Sequence, residues 1–158
     1  MFDPVTYFET LTKTLKLTKD TYHFTQVSGL ESLEGIISNR KDHDHFIAVD
    51  DSENGALLKI SGGYFNRRPI TVFICASADY GNPVQRQSLL TEFRKIHKSF
   101  VSKLIKDKAI QGLLPFDFTR IPYYEIPGFF ADGCVGLYFM FYTDEPTKLI
   151  FDAADWTE

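Results

Sequence analysis

Asp42-His43-Asp44-His45 is the densest group of metal-ligand side chains in the sequence. In an extended segment, His43 and His45 point to one face and the two aspartates to the other. A metal centre takes three or four donors converging from fixed positions. His43 and His45 are therefore candidate ligands of an incomplete set, and an exposed polar loop leading into a strand is the plainer reading of them. His23 and His97 stand alone. His97 falls on or beside the apolar stripe of a long helical segment, where a packed imidazole is the plainer reading. Ser28, Ser61 and Ser77 lack the Gly-x-Ser-x-Gly setting of a hydrolase nucleophile. Gly62-Gly63 is too short for a phosphate loop, and no Gly-Lys-Ser/Thr follows it. Asp50, Asp51 and Glu53 sit at an expected hairpin tip, where solvated turn acids suffice, and nothing supports a glycosidase-type carboxylate pair. Cys75 and Cys134 lie in apolar strand-like runs and read as small buried hydrophobes, not as reactive thiols or a disulfide framework. The expectation is a non-enzymatic protein with no catalytic residues and no cofactor.

Aromatic residues are the stronger signal: 15 Phe and 8 Tyr against 1 Trp. Tyr64, Phe65, Arg67 and Arg68 interleave rings with charge, a pattern that can stack on bases. Their flanks are acidic, however, which argues against it. Phe116, Phe118, Tyr123, Tyr124, Phe129 and Phe130 crowd into one irregular stretch. Such rings bury much area at low entropy cost, as interfaces prefer, and they also close cores under long loops. Both readings stay open for this stretch. Together with Arg94 and Lys98 these six rings are the candidate interface residues.

Charge is unevenly distributed. Residues 1–60 carry a net −4, 61–85 a net +1, 86–108 a net +5 and 109–158 a net −6. A basic segment thus lies between acidic ones, either as a solvated helix face or as a surface that steers docking. The overall −4 does not suggest a general nucleic-acid binder. No apolar run approaches the ~18–20 residues of a membrane helix. The start, Met1-Phe2-Asp3-Pro4, shows no signal-peptide pattern, so a reducing cytoplasmic setting is the default expectation.

Residues 1–158 suit a single domain. Asp3-Pro4 starts a helix expected over 4–18, with Phe8, Leu11, Leu15 and Leu17 at helical spacing. Strands are expected at 22–27, 45–50, 56–60 as the return strand of a hairpin, 69–76, 134–142 and 148–151, with a short one at 123–126. A short helix falls between Ser28 and Arg40. Ile70 to Cys75 is apolar on both alternating faces, as in a central strand covered on both sides. The longest helix runs from about 84 to 107, with Leu90, Phe93, Ile96, Phe100 and Leu104 on its stripe. Asp144-Glu145-Pro146 reads as a turn. The order predicts an α+β fold: a mostly antiparallel sheet, the long helix on one face, and an N-terminal helix.

This order of elements resembles the tail-terminator, or tail-completion, proteins at the head–tail junction of long-tailed bacteriophages. The likeness rests on the helix at 4–18, the strands at 45–50, 56–61 and 69–77, the loop from Ala78 to Pro83, the helix at 84–107 and the strand from Cys134 to Tyr142. It implies a non-enzymatic subunit of a ring, a homohexamer, that contacts tail-tube and neck proteins in the virion or the host cytoplasm. It also implies passage of DNA without sequence reading, which an acidic lumen would suit, and no membrane partner. Two other classes stay open on the residues alone: a cytoplasmic binding or adaptor domain, and a small metal-dependent enzyme using His43 and His45.

Overall fold

Asp3 caps the first helix, α1 (Pro4–Thr14). Its carboxylate accepts from the Thr6 backbone N–H at 3.2 Å and from the Thr6 hydroxyl at 2.6 Å, and Pro4 fills the first turn. The computed structural model describes residues 2–39, 45–52, 54–108, 120–130 and 133–157. Helix α1 is shorter than its apolar spacing predicts. Leu15 leaves helical geometry, and the buried Thr18 hydroxyl donates to the Thr12 carbonyl at 2.8 Å. That bond satisfies a carbonyl the helix end leaves open, so a tight turn replaces the last expected turn of helix.

Strand β1 (His23–Val27), helix α2 (Gly29–Asn39) and strand β2 (His45–Asp50) follow, with β1 and β2 parallel. Two aspartates join the ends of this unit. Asp50 accepts from the Gly29 N–H at 3.1 Å, and Asp51 accepts from the Ser28 hydroxyl at 2.6 Å and the Gln26 amide at 2.8 Å. Gly29 has φ +81°, which glycine adopts without strain.

Strand β3 (Ala56–Ile60) does not return along β2 as the hairpin reading has it. It turns at Ser61-Gly62, both with positive φ, and pairs with the start of strand β4 (Gly63–Ser77). At 15 residues, β4 is ~50 Å long. It pairs with β3 over its first third and with β2 over its last third. It pairs along nearly its whole length with strand β6 (Cys134–Thr147). Short strand β5 (Tyr123–Glu125) completes the order β1-β2-β4-β6-β5. The fold is α+β and mostly antiparallel, with one parallel pair at an edge.

Helix α3 (Pro83–Asp107) is capped by the Asn82 side chain, which accepts from Gln85 N–H at 3.1 Å. Its stripe of Leu90, Phe93, Ile96, Phe100 and Leu104 is buried, with Phe8 and Leu11 of α1, against Ile47, Val72, Ile74, Leu137 and Phe139. Phe8 sits at the centre, its ring within 6.0 Å of those of Phe100, Phe139 and Phe141. On the opposite face α2 lays Leu33 and Ile37 over Val27, Phe46, Ala48, Phe73 and Cys75. The central strand is covered on both sides there, as its two apolar faces predict, and both cysteines are buried and unlinked.

Two further expectations are corrected. Asp144-Glu145-Pro146 is not a turn: β6 runs straight through it, paired with Arg67, Asn66 and Phe65 of β4. Opposed arginines neutralise the acids, and Pro146 lies beyond the reach of β5, where β6 has an open edge. Residues 148–151 form no strand. They leave the sheet exposed, because no neighbouring strand extends far enough to pair with them.

Candidate functional site

Alternation along β5 and β6 sends side chains to opposite faces of the sheet. Leu137, Phe139 and Phe141 enter the core under α1 and α3. Tyr138, Met140, Tyr142 and Asp144 turn the other way, and Tyr124 of β5 joins them. Helix α2 covers that face over β1, β2 and the ends of β4 and β6 at Phe73, Cys75 and Cys134. Beyond it the rings are open: Tyr124 and Tyr142 are about half exposed. Tyr124 stacks on Tyr138 with centroids 5.3 Å apart, and Tyr138 rests on Phe73 at 5.7 Å. Arg67 places its guanidinium 5.5 Å from the Tyr142 ring. The same group makes a two-pronged bond to Asp144, Nε to Oδ1 at 2.7 Å and Nη2 to Oδ2 at 2.6 Å. A shallow cavity of ≈ 330 Å³ lies among Arg67, Arg120, Tyr124, Met140, Tyr142 and Asp144. Tyrosine, methionine and arginine on a rigid sheet are the composition of a protein contact surface.

The arginines are committed to the fold. Arg68 donates to the Phe2 carbonyl and to Glu145, both at 3.1 Å, and Glu145 also accepts from the Phe2 N–H. These two pairs tie β4 to β6 where the two strands extend past β2 and β5, and backbone pairing adds β3 to the ribbon. Interleaved rings and charges at 64–68 are explained by this ladder rather than by base stacking. Past the ribbon, Leu149, Ile150, Phe151 and Trp156 are all exposed.

Of the residues singled out from sequence, Tyr124 lies on the open sheet face. Tyr123 points to the α3 side, its ring 5.1 Å from that of His97. Phe129 packs partly buried beside the larger core and 5.5 Å from the ring of Tyr80, and Phe130 packs under α2's core near Cys134. Arg94 bonds Glu125 through Nε at 2.8 Å and through Nη2. Lys98 is exposed on α3, lining a groove with Lys103 and Lys106. Phe116, Phe118 and His43 lie outside the described residues, as do Asp42 and Asp44. His45 begins β2 and sets its ring 5.1 Å from Tyr22. Among the described residues, no three His, Cys, Asp or Glu side chains converge as a metal site. Sequence reasoning missed Tyr138, Met140 and Tyr142 as surface residues. Their alternation with Leu137, Phe139 and Phe141 was the available signal, hidden because every position in the run is apolar or aromatic.

The basic segment divides in two. Arg86 donates to the carbonyls of Gly128 and Ile126, and Arg94 to Glu125, so both anchor the β5 region onto α3. Lys103 bonds Asp107 at 2.7 Å, and the Tyr7 hydroxyl donates to the other oxygen of Asp107 at 3.1 Å. The Lys103 bond, aided by Tyr7, holds the Asp107 carboxyl below the usual carboxylate range, while burial pushes Tyr7 up. His97 is wedged between Tyr123 and Phe139, and burial lowers its affinity for a proton. It is the packed histidine its position on the helix suggests.

Among the described residues, no helix is long and apolar enough to cross a membrane. No protein-family model matches this chain, and a search of curated proteins finds no significant match.

Proposed function

We propose that this chain is a non-enzymatic structural subunit that works by associating with copies of itself. In its specific form the reading is a ring component, a homohexamer, at the head–tail junction of a phage or prophage tail. It would contact tail-tube and neck proteins in the virion, or in the host cytoplasm before assembly. The observation that carries the reading is the open half of the sheet, where Tyr124 and Tyr142 stand about half exposed beside Arg67, with Tyr138 and Met140 partly buried between them. Large rings on a rigid surface offer contact area without much entropy cost on association. The element order supports the phage assignment by resemblance, with a leading helix, a sheet and a long helix across it. The acidic remainder of the surface supports a lumen that lets DNA pass without adhesion.

Light scattering across a concentration series, with electron microscopy of the same samples, tests this. A discrete oligomer of ring shape is the expected result, and Tyr124→Ala with Tyr142→Ala shifts it to smaller species while lowering stability by only about 1–2 kcal/mol. A monomer at every concentration, both alone and with a tail-tube protein, refutes the reading.

A further inference from the structure

The last described residues, Leu149 to Thr157, combine four large apolar side chains with two aspartates and no cation. Among the described residues nothing covers them: Ile150 is 78% exposed, Phe151 75% and Trp156 69%. They are organised, among the described residues, by a short turn, Ala153–Asp155, closed by backbone bonds of 3.2 and 3.3 Å and capped by the Asp152 carboxylate, which accepts from the Ala154 N–H at 2.9 Å, and by a stacked contact between Phe151 and Trp156. On the helix layer a groove of ≈ 550 Å³ runs between α1 and α3. Leu11, Leu15 and Phe100 form its apolar floor, and Lys98, Lys103 and Lys106 stand on its rim. Lys103 is paired with Asp107. Segment and groove are opposite in charge and alike in apolar content.

We propose that the C-terminal segment of one copy docks into the α1–α3 groove of a second copy, with Phe151 on the apolar floor and Asp152 and Asp155 against Lys98 and Lys106. Leu149, Ile150, Phe151 and Trp156 together expose on the order of 500 Å² of apolar surface, part of which docking would withdraw from water. This contact rests on the self-association reading and gives it a definite pair of surfaces. Because segment and groove are different patches, the contact is head-to-tail, the kind that closes rings.

Trp156 is the only tryptophan in the chain, so its emission reports docking directly. Emission and light-scattering mass are followed together against concentration in the full chain. Docking moves the emission to shorter wavelength as the mass rises. Lys98→Glu with Lys106→Glu, and separately Asp152→Lys with Asp155→Lys, each weaken association about tenfold or more. The four changes in one chain restore it. Association that proceeds equally in all variants with unchanged Trp emission overturns the docking while leaving self-association standing. A monomer with unchanged emission overturns both. An emission shift that is independent of concentration and abolished by Lys98→Glu with Lys106→Glu places the segment in its own groove and overturns the second copy as its occupant.

Discussion

Replacing Arg67 with methionine tests whether the ribbon is held by its ion pairs. The Asp144 carboxylate is only 6% exposed and takes both its side-chain bonds from Arg67, which is 38% exposed. Removing one partner of a buried pair costs ~3–5 kcal/mol. Water reaches the outer side of Arg67, which reduces the expected figure to about 2–3 kcal/mol. The lost contact with the Tyr142 ring lies within that range, at about 0.5–1 kcal/mol. For a chain of this size the loss corresponds to a fall in Tm of about 5–10 °C. Removing both charges, by Arg67→Met with Asp144→Leu, leaves no stranded carboxylate and recovers most of the loss, for a coupling of about 2 kcal/mol. Urea unfolding of the wild type, two single variants and the double variant measures that coupling. A single-variant cost under about 0.5 kcal/mol, or strict additivity in the cycle, refutes the claim that these pairs stand in for a core where no helix covers the ribbon.

Phe8→Ala opens a cavity among Phe100, Phe139 and Phe141 and lowers stability by about 3–5 kcal/mol, read as a urea midpoint shift at unchanged slope. Gly136→Ala sets a Cβ 2.8 Å from both the Ile126 and Phe130 side chains, closer than packed carbons come. A loss of about 1–3 kcal/mol follows, and Phe130→Leu in the same chain recovers part of it. Acid unfolding has an Asp107 component. Its carboxyl is held low in the fold by Lys103 and Tyr7, so its contribution is complete above pH ~4 and vanishes as pH falls through the lowered value. Asp107→Asn therefore flattens the acid limb of a Tm–pH curve below pH ~4. His97 binds a proton less readily in the fold, so stability also declines as pH falls below ~6.5, and His97→Phe removes that step.

The two halves of the structure were unequally legible in the sequence. Helix α3 and the central part of β4 were plain because their burial is periodic: one stripe at helical spacing, and one run apolar on both faces. The ends of elements were not. Helix α1 stops four residues early because a threonine side chain six residues away competes for its last carbonyls, a side-chain bond that leaves no periodic trace. Asp144-Glu145-Pro146 has turn composition, and only the arginines 77 residues away in the chain make it strand. The candidate surface suffered similarly. Tyr124 was visible as part of a ring cluster, but its neighbours came from the other strand of the ladder, and register is not a local property. Phe129 and Phe130 belong to the same cluster by sequence but pack against opposite cores, Phe130 into the space that Gly136 leaves beneath it.

Placement of the two open regions constrains what kind of assembly they can make. The tyrosine surface lies on the α2 side of the sheet, and the lysine-rimmed groove lies on the helix side. A two-fold dimer needs a patch that matches itself, and the groove does not: its rim is cationic, and a second groove would repel it. Its complement is the acidic, aromatic segment at the far end of β6. Head-to-tail contacts of this kind either close after a fixed number of copies or continue as a filament, and the rotation between neighbours decides which. Closure gives one sharp mass that stays constant once reached, whereas a filament keeps growing with concentration. The charge pattern set by the chain, with a basic helix within an acidic domain, therefore bears on polarity of assembly as well as on affinity. Exchanging those charges between segment and groove should reverse which copies recognise each other: each single-site variant binds its charge-swapped counterpart and not itself. Mixed samples that form oligomers no better than the separate variants would remove the charge match as the source of that polarity.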